Sequence, residues 1–134
     1  MKTKNKTKEP FDFRKIETIQ DAFTRMGMSP TEVPDVSKIP ERFREPLLAV
    51  YNLMVAHEAV NDGWEADYSK YQQKWFAWPR ALSAGSGFVF SGSDYRCVGT
   101  GAVVGSRLCT ESMEKSKHLF EKFNEDYRKF MLKK

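Results

Sequence analysis

Cysteine, histidine and long apolar runs are all scarce in this chain, and each scarcity removes a class of protein. Two cysteines in 134 residues, Cys97 and Cys109, are too few for a disulfide-held scaffold. They are expected as free thiols in a reducing cytoplasm. No apolar stretch approaches the roughly 20 residues of a membrane-spanning helix, so no membrane partner is expected. The N-terminal lysines have no apolar block behind them, which argues against a secretory signal.

Histidine is equally sparse. His57-Glu58 opens like a zinc-binding helix motif, but position 61 is Asn61 and not a second histidine. No metal site is therefore expected, and His57 reads as structural or solvated. His118 lies four residues from both Glu114 and Lys122 and reads as an exposed helical position. Nothing pairs either cysteine with a histidine as a nucleophile would require, so no catalytic residue is assigned.

A phosphate loop is also missing. The run Gly99-Thr100-Gly101-Ala102-Val103-Val104-Gly105 resembles a dinucleotide-binding turn in spacing. Such a turn needs a helix directly after it and further strands beyond, and here Ala102-Val103-Val104 reads as strand. No Gly-Lys-Ser/Thr follows. The glycines are read as turns between strands, and no cofactor is expected.

Basic charge is confined to one place. Lys2, Lys4, Lys6 and Lys8 stand without an acid among the first eight residues, and they account for the whole formal charge of +4. The other 18 basic residues are balanced by 18 acidic ones. Residues 1–10 are expected to be a disordered basic tail, and residues 11–134 a single α+β domain. The tail could give weak, nonspecific attraction to nucleic acid through those four lysines.

What is present describes that domain. Ile16, Ile19, Phe23 and Met26 recur at helical spacing, and Gly27 suits the stop. A proline-rich connector runs from Ser29 to Pro40. A second helix follows, with Pro46 in its first turn, a buried stripe of Leu47, Val50, Tyr51, Met54 and Val55, and an end at Asn61-Asp62-Gly63. From Gln73 to Cys109 aromatics, valines, glycines and serines alternate, as in Phe88-Val89-Phe90, which reads as a small antiparallel β-meander. A long C-terminal helix begins at Thr110 as cap and packs Met113, Phe120, Phe123, Tyr127 and Phe130 on the sheet.

The order Lys74-Trp75-Phe76-Ala77-Trp78, Gly87-Phe88-Val89-Phe90, Gly105-Ser106-Arg107-Leu108-Cys109, then Ser112 and Tyr127-Arg128-Lys129-Phe130-Met131 resembles a group of short uncharacterised proteins. That group is encoded by tailed phages and prophages of Bacteroides-type bacteria. The similarity spans residues 16–131, and Gly-Ser-Arg-Leu-Cys is its most specific piece. Members more often read Lys-Tyr-Tyr-Pro-Trp-Phe where this chain has residues 74–79. The resemblance implies a phage setting and a shared fold, and it transfers no catalytic role.

Two groups of side chains are candidates for interaction. Arg107 sits in an apolar run and, if inward, needs an acid such as Asp94, Glu111 or Asp126; otherwise it could meet an anion. Trp64, Tyr68, Tyr71, Trp75 and Trp78 crowd fifteen positions, interleaved with Lys70, Lys74 and Arg80. They could form core, anchor a protein interface or stack unpaired bases. Glu65 and Asp67 dilute the basic charge and favour protein. The expectation is a small non-enzymatic phage or prophage protein that binds another protein, in the host cytoplasm or in the virion. The alternative is an accessory single-stranded nucleic-acid binder using the aromatics and the lysine tail.

Overall fold

The computed structural model describes residues 10–81, 88–96 and 105–132, with side chains over 10–77 and 105–132. The lysine tail, Cys97 and the glycine run up to Val104 lie outside the described residues, as do the side chains of Trp78 and Asp94.

Thr18 starts the first helix, α1 (Ile19–Arg25), with a capping box. The Asp21 N–H donates to Thr18 Oγ1 at 3.2 Å, and the Thr18 N–H donates back to the Asp21 carboxylate at 3.0 Å. The backbone N–H of Glu17 reaches the same carboxylate, and these donors hold the Asp21 pKa below its ordinary value. Gly27 then takes φ 66° and turns the chain away, as its position promised.

The second helix, α2 (Glu41–Asn61), starts earlier than the sequence suggests, so Pro46 lies in its second turn and cannot give the Arg42 carbonyl the usual donor four residues on. Neighbouring segments brace this end. Arg44 donates to the carbonyls of Ile39 and Ser37, and the Tyr51 hydroxyl donates to the Glu32 carbonyl. The buried face is also rotated from the one expected. Of the expected stripe Val55 alone is buried; Ala49, Leu53, Ala56, Ala59 and Val60 are sealed with it, whereas Leu47 is 45% exposed. Alanines let α1, α3 and α4 approach α2 closely, and that crowding, not the largest side chains, chooses the inward face.

The expected β-meander is not seen. Among the described residues the chain is mostly helical, with four α-helices and one antiparallel ribbon of β1 (Lys74–Ala81) and β2 (Phe88–Arg96). Register runs from Lys74↔Arg96 to Ala81↔Phe88, with an extra β2 residue opposite the step from Ala77 to Pro79. Pro79 has no N–H to give a ladder, and it sits where the ladder is interrupted. At β1's start a single bridge joins Trp75 to Thr110, their N–H groups exchanging bonds of 2.9 and 2.7 Å. A tight 3-10 turn at Ser106–Leu108 precedes it and a helix follows almost at once, so there is no length for a third strand there.

The C-terminal helix is also not single. Ser112, not Thr110, caps α3 (Met113–Lys122) by accepting from the Lys115 N–H. Thr110 is buried and bonds the Ser116 hydroxyl at 2.8 Å. At Phe123 (φ −117°, ψ 31°) the axis breaks, and α4 (Asn124–Met131) follows. The break lets one stripe serve two surfaces. α3 lies on the ribbon, while α4 runs along α2, tied by Asn52–Asp126 and Lys129–Glu45. Phe120, Phe123 and Tyr127 enter the core with Phe23, Leu53 and Leu119; Met113 and Phe130, at the ends of the expected stripe, stay exposed.

His118 corrects another expectation. It is buried, its Nε2–H donates to the Ile16 carbonyl at 2.6 Å, and its ring meets Phe13 edge-on at 5.4 Å. It fastens the N-terminal segment to α3.

Candidate functional site

At the C-terminal end of α2 the helix stops on Asp62, which takes the left-handed conformation (φ 47°, ψ 53°), and on Gly63 at φ 89°. Aspartate tolerates this region better than most side chains, and glycine tolerates it freely. The chain then leaves the helix sideways, and the Trp64 N–H caps the Asn61 carbonyl at 3.0 Å. Residues 62–73 form a braced connector. The Asp67 N–H donates to the Gln72 side chain, while the Asp67 carboxylate accepts from both the N–H and the hydroxyl of Ser69.

This exit opens a cleft of about 590 Å³. Its walls come from three distant parts of the sequence: Arg25 and Met26 at the C-terminal end of α1, Met54 to Ala66 along and beyond α2, and Ser106 and Arg107 in the 3-10 turn. Arg25 and Asp62 bond across it at 2.5 Å. Glu58, Glu65 and Arg107 are exposed and make no ion pair among the described residues. Arg107 is thus exposed and not the buried cation that an inward position would make it, and the Asp94 side chain lies outside the described residues. Glu111 is taken by Lys115 and Asp126 by Asn52.

Behind the cleft lies a second polar group. The Asn61 side chain is 7% exposed; its Nδ2 donates to the Cys109 carbonyl at 2.8 Å, and its buried Oδ1 has no partner among the described residues. The Cys109 thiol donates to the Gly105 carbonyl at 3.0 Å and receives a long contact of 3.7 Å from the Tyr68 hydroxyl. Lys74 is 1% exposed, with Nζ 3.1 Å from the Gln72 carbonyl and 4.6 Å from the centre of the Tyr68 ring. No carboxylate pairs with it among the described residues. Burial pushes the Cys109 thiol up, against the pull of the Tyr68 hydroxyl and the Lys74 charge. Burial likewise raises the Tyr68 hydroxyl to about 12. A thiol so held is a poor nucleophile at neutral pH. His57 does not meet it. The His57 Nδ1–H donates to the Leu53 carbonyl at 2.6 Å, and its Nε2 accepts from Tyr127 at 3.4 Å.

The aromatic candidates whose side chains are described stand in different settings. Trp64 joins Arg107 at the cleft, and Tyr68 covers Lys74. Trp75 is half-buried at the bridge to Thr110, and Tyr71 is 76% exposed. Sequence reasoning missed Arg25, Glu58, Asn61 and Glu65 as site residues. Local spacing gives no sign of them, because the cleft exists only once positions 25, 58–66 and 106–107 are folded together. Comparison with family models, curated proteins and solved structures finds no match to this chain.

Proposed function

We propose that this chain is a protein-binding module, a small phage or prophage protein acting by contact with another protein in the host cytoplasm or the virion. The observation that carries the reading is the cleft itself, which draws Trp64 and Arg107 together beside carboxylates that have no ion-pair partner among the described residues. Tryptophan and arginine dominate the energetics of protein interfaces because each combines apolar area with directional donors. A volume of this size encloses one or two side chains of a partner. Glu58 and Glu65 in the same cleft also favour protein over single-stranded nucleic acid, whose phosphates they would repel.

The test is affinity capture with the tagged full chain, with and without nuclease, in parallel with a Trp64→Ala/Arg107→Ala variant. A partner that survives nuclease and is lost with the variant supports the reading. Capture that disappears with nuclease and ignores the variant transfers the function to nucleic-acid binding through the lysine tail.

A further inference from the structure

Charge around the cleft is unevenly consumed. Arg25 and Asp62 neutralise one another at 2.5 Å. Two carboxylates, Glu58 and Glu65, then line the cleft with a single guanidinium, Arg107, and none of the three has an ion-pair partner among the described residues. Deeper in, Asn61 Oδ1 is a buried acceptor without a donor among the described residues. An unmet acceptor of this kind costs stability until a donor reaches it. Trp64 adds an aromatic face, which attracts cations through its quadrupole.

From this we propose that the cleft receives a basic side chain, arginine or lysine, from a partner polypeptide. The inference rests on the reading that the cleft carries the protein contact, and it names the chemistry recognised there. A guanidinium or ammonium brings the positive charge that Glu58 and Glu65 lack, the N–H donors that Asn61 can accept, and a surface that stacks on Trp64. A carboxylate side chain brings none of these and meets only Arg107. Arg107 in turn limits the partner: a run of several basic residues would place like charge against it. The preferred segment carries one basic residue with neutral or acidic neighbours.

The test uses the full chain and four blocked pentapeptides, Gly-Gly-X-Gly-Gly, with X as arginine, lysine, citrulline or glutamate. Citrulline keeps the shape of arginine and removes its charge. Binding is read by amide and indole N–H shifts in two-dimensional NMR spectra up to millimolar peptide. The arginine peptide should bind at least about tenfold more tightly than the citrulline and glutamate peptides, shifting the Trp64 indole and Asn61 side-chain signals. The double variant Glu58→Gln/Glu65→Gln removes two exposed charges without changing shape, and it should lower arginine-peptide affinity about tenfold at unchanged thermal stability. Equal binding of the arginine and citrulline peptides, no binding of any, or an unaltered affinity in the double variant overturns the inference. If that happens while the Trp64→Ala/Arg107→Ala variant still loses its captured partner, the protein-binding reading survives without it. If capture is also indifferent to that variant, both fall.

Discussion

His57 and Asn61 are one turn apart on the same face of α2, and they illustrate two fates of a buried polar side chain. Both ring nitrogens of His57 are engaged, so the site is closed and neutral. Burial lowers the His57 pKa from 6.5 to about 4, which keeps the proton off Nε2 and leaves that atom free to accept from Tyr127. Asn61 satisfies only its donor, and it borders the cleft. A zinc helix would have used these two positions as paired ligands; here one fastens α2 to α4 and the other stands at the edge of an open site. Complete pairing marks structure, and the half-paired group borders the cleft for which a ligand is proposed.

The closed side should break hardest. Tyr127 fills the space between α2 and Phe120, its ring 5.1 Å from that of Phe120, and it supplies the His57 partner. Tyr127→Ala should cost about 3–5 kcal/mol in urea unfolding, from cavity formation plus an orphaned imidazole. A loss below about 1 kcal/mol would remove this cluster from the core.

Acid should open the same cluster. Between pH 6.5 and about 4 the unfolded chain binds a proton at His57 that the folded chain refuses. Stability is therefore intact above pH 6.5 and falls as the pH drops through this window, by about 3 kcal/mol in total at 1.36 kcal/mol per unit. Unfolding midpoints measured from pH 7 to 4 check this. His57→Gln should flatten the slope, and an unchanged slope would assign the loss to other groups.

A matched pair of substitutions compares the two positions directly. His57→Leu leaves the Tyr127 hydroxyl buried without an acceptor and should cost about 1–3 kcal/mol. Asn61→Leu removes an orphaned acceptor while orphaning the Cys109 carbonyl, so the two effects oppose and stability should stay within about 1 kcal/mol of wild type. Equal costs at both positions would mean that Asn61 is as structural as His57, and the cleft would lose its strongest mark.

Part of this architecture is legible from the chain. The turn at Gly27, the end of α2 near Asp62 and the burial of Phe23, Phe120, Phe123 and Tyr127 follow from local patterns. The break at Phe123 does not, because phenylalanine is no helix breaker; the axis bends since α3 and α4 rest on different neighbours. His118 looked solvent-facing beside Glu114 and Lys122, yet its acceptor is Ile16, 102 positions away. Alternating composition also overstated the sheet, as the stretch Ser106–Leu108 turns tightly instead of extending. Trp64 and Arg107 stood out by residue type, but the carboxylates that share their cleft carry no local signature.

Asp62 gives the smallest expected effect and the finest test of the comparison. It does two jobs at once, holding a left-handed backbone position and neutralising Arg25. Asp62→Asn keeps the backbone tolerance and the shape while removing the charge. Both partners of the ion pair are close to half exposed, so its loss should cost only about 0.2–1 kcal/mol, and the difference should shrink in molar salt. Asp62→Gly also loses the pair, but it relieves the left-handed residue, so it should be at least as stable as Asp62→Asn. In the binding assay Asp62→Asn frees the Arg25 guanidinium inside the cleft and should weaken the arginine peptide while leaving the fold intact. A stability loss above about 2 kcal/mol would instead make Asp62 a structural residue like His57. The charge balance that leaves Glu58 and Glu65 unpaired would then need redrawing.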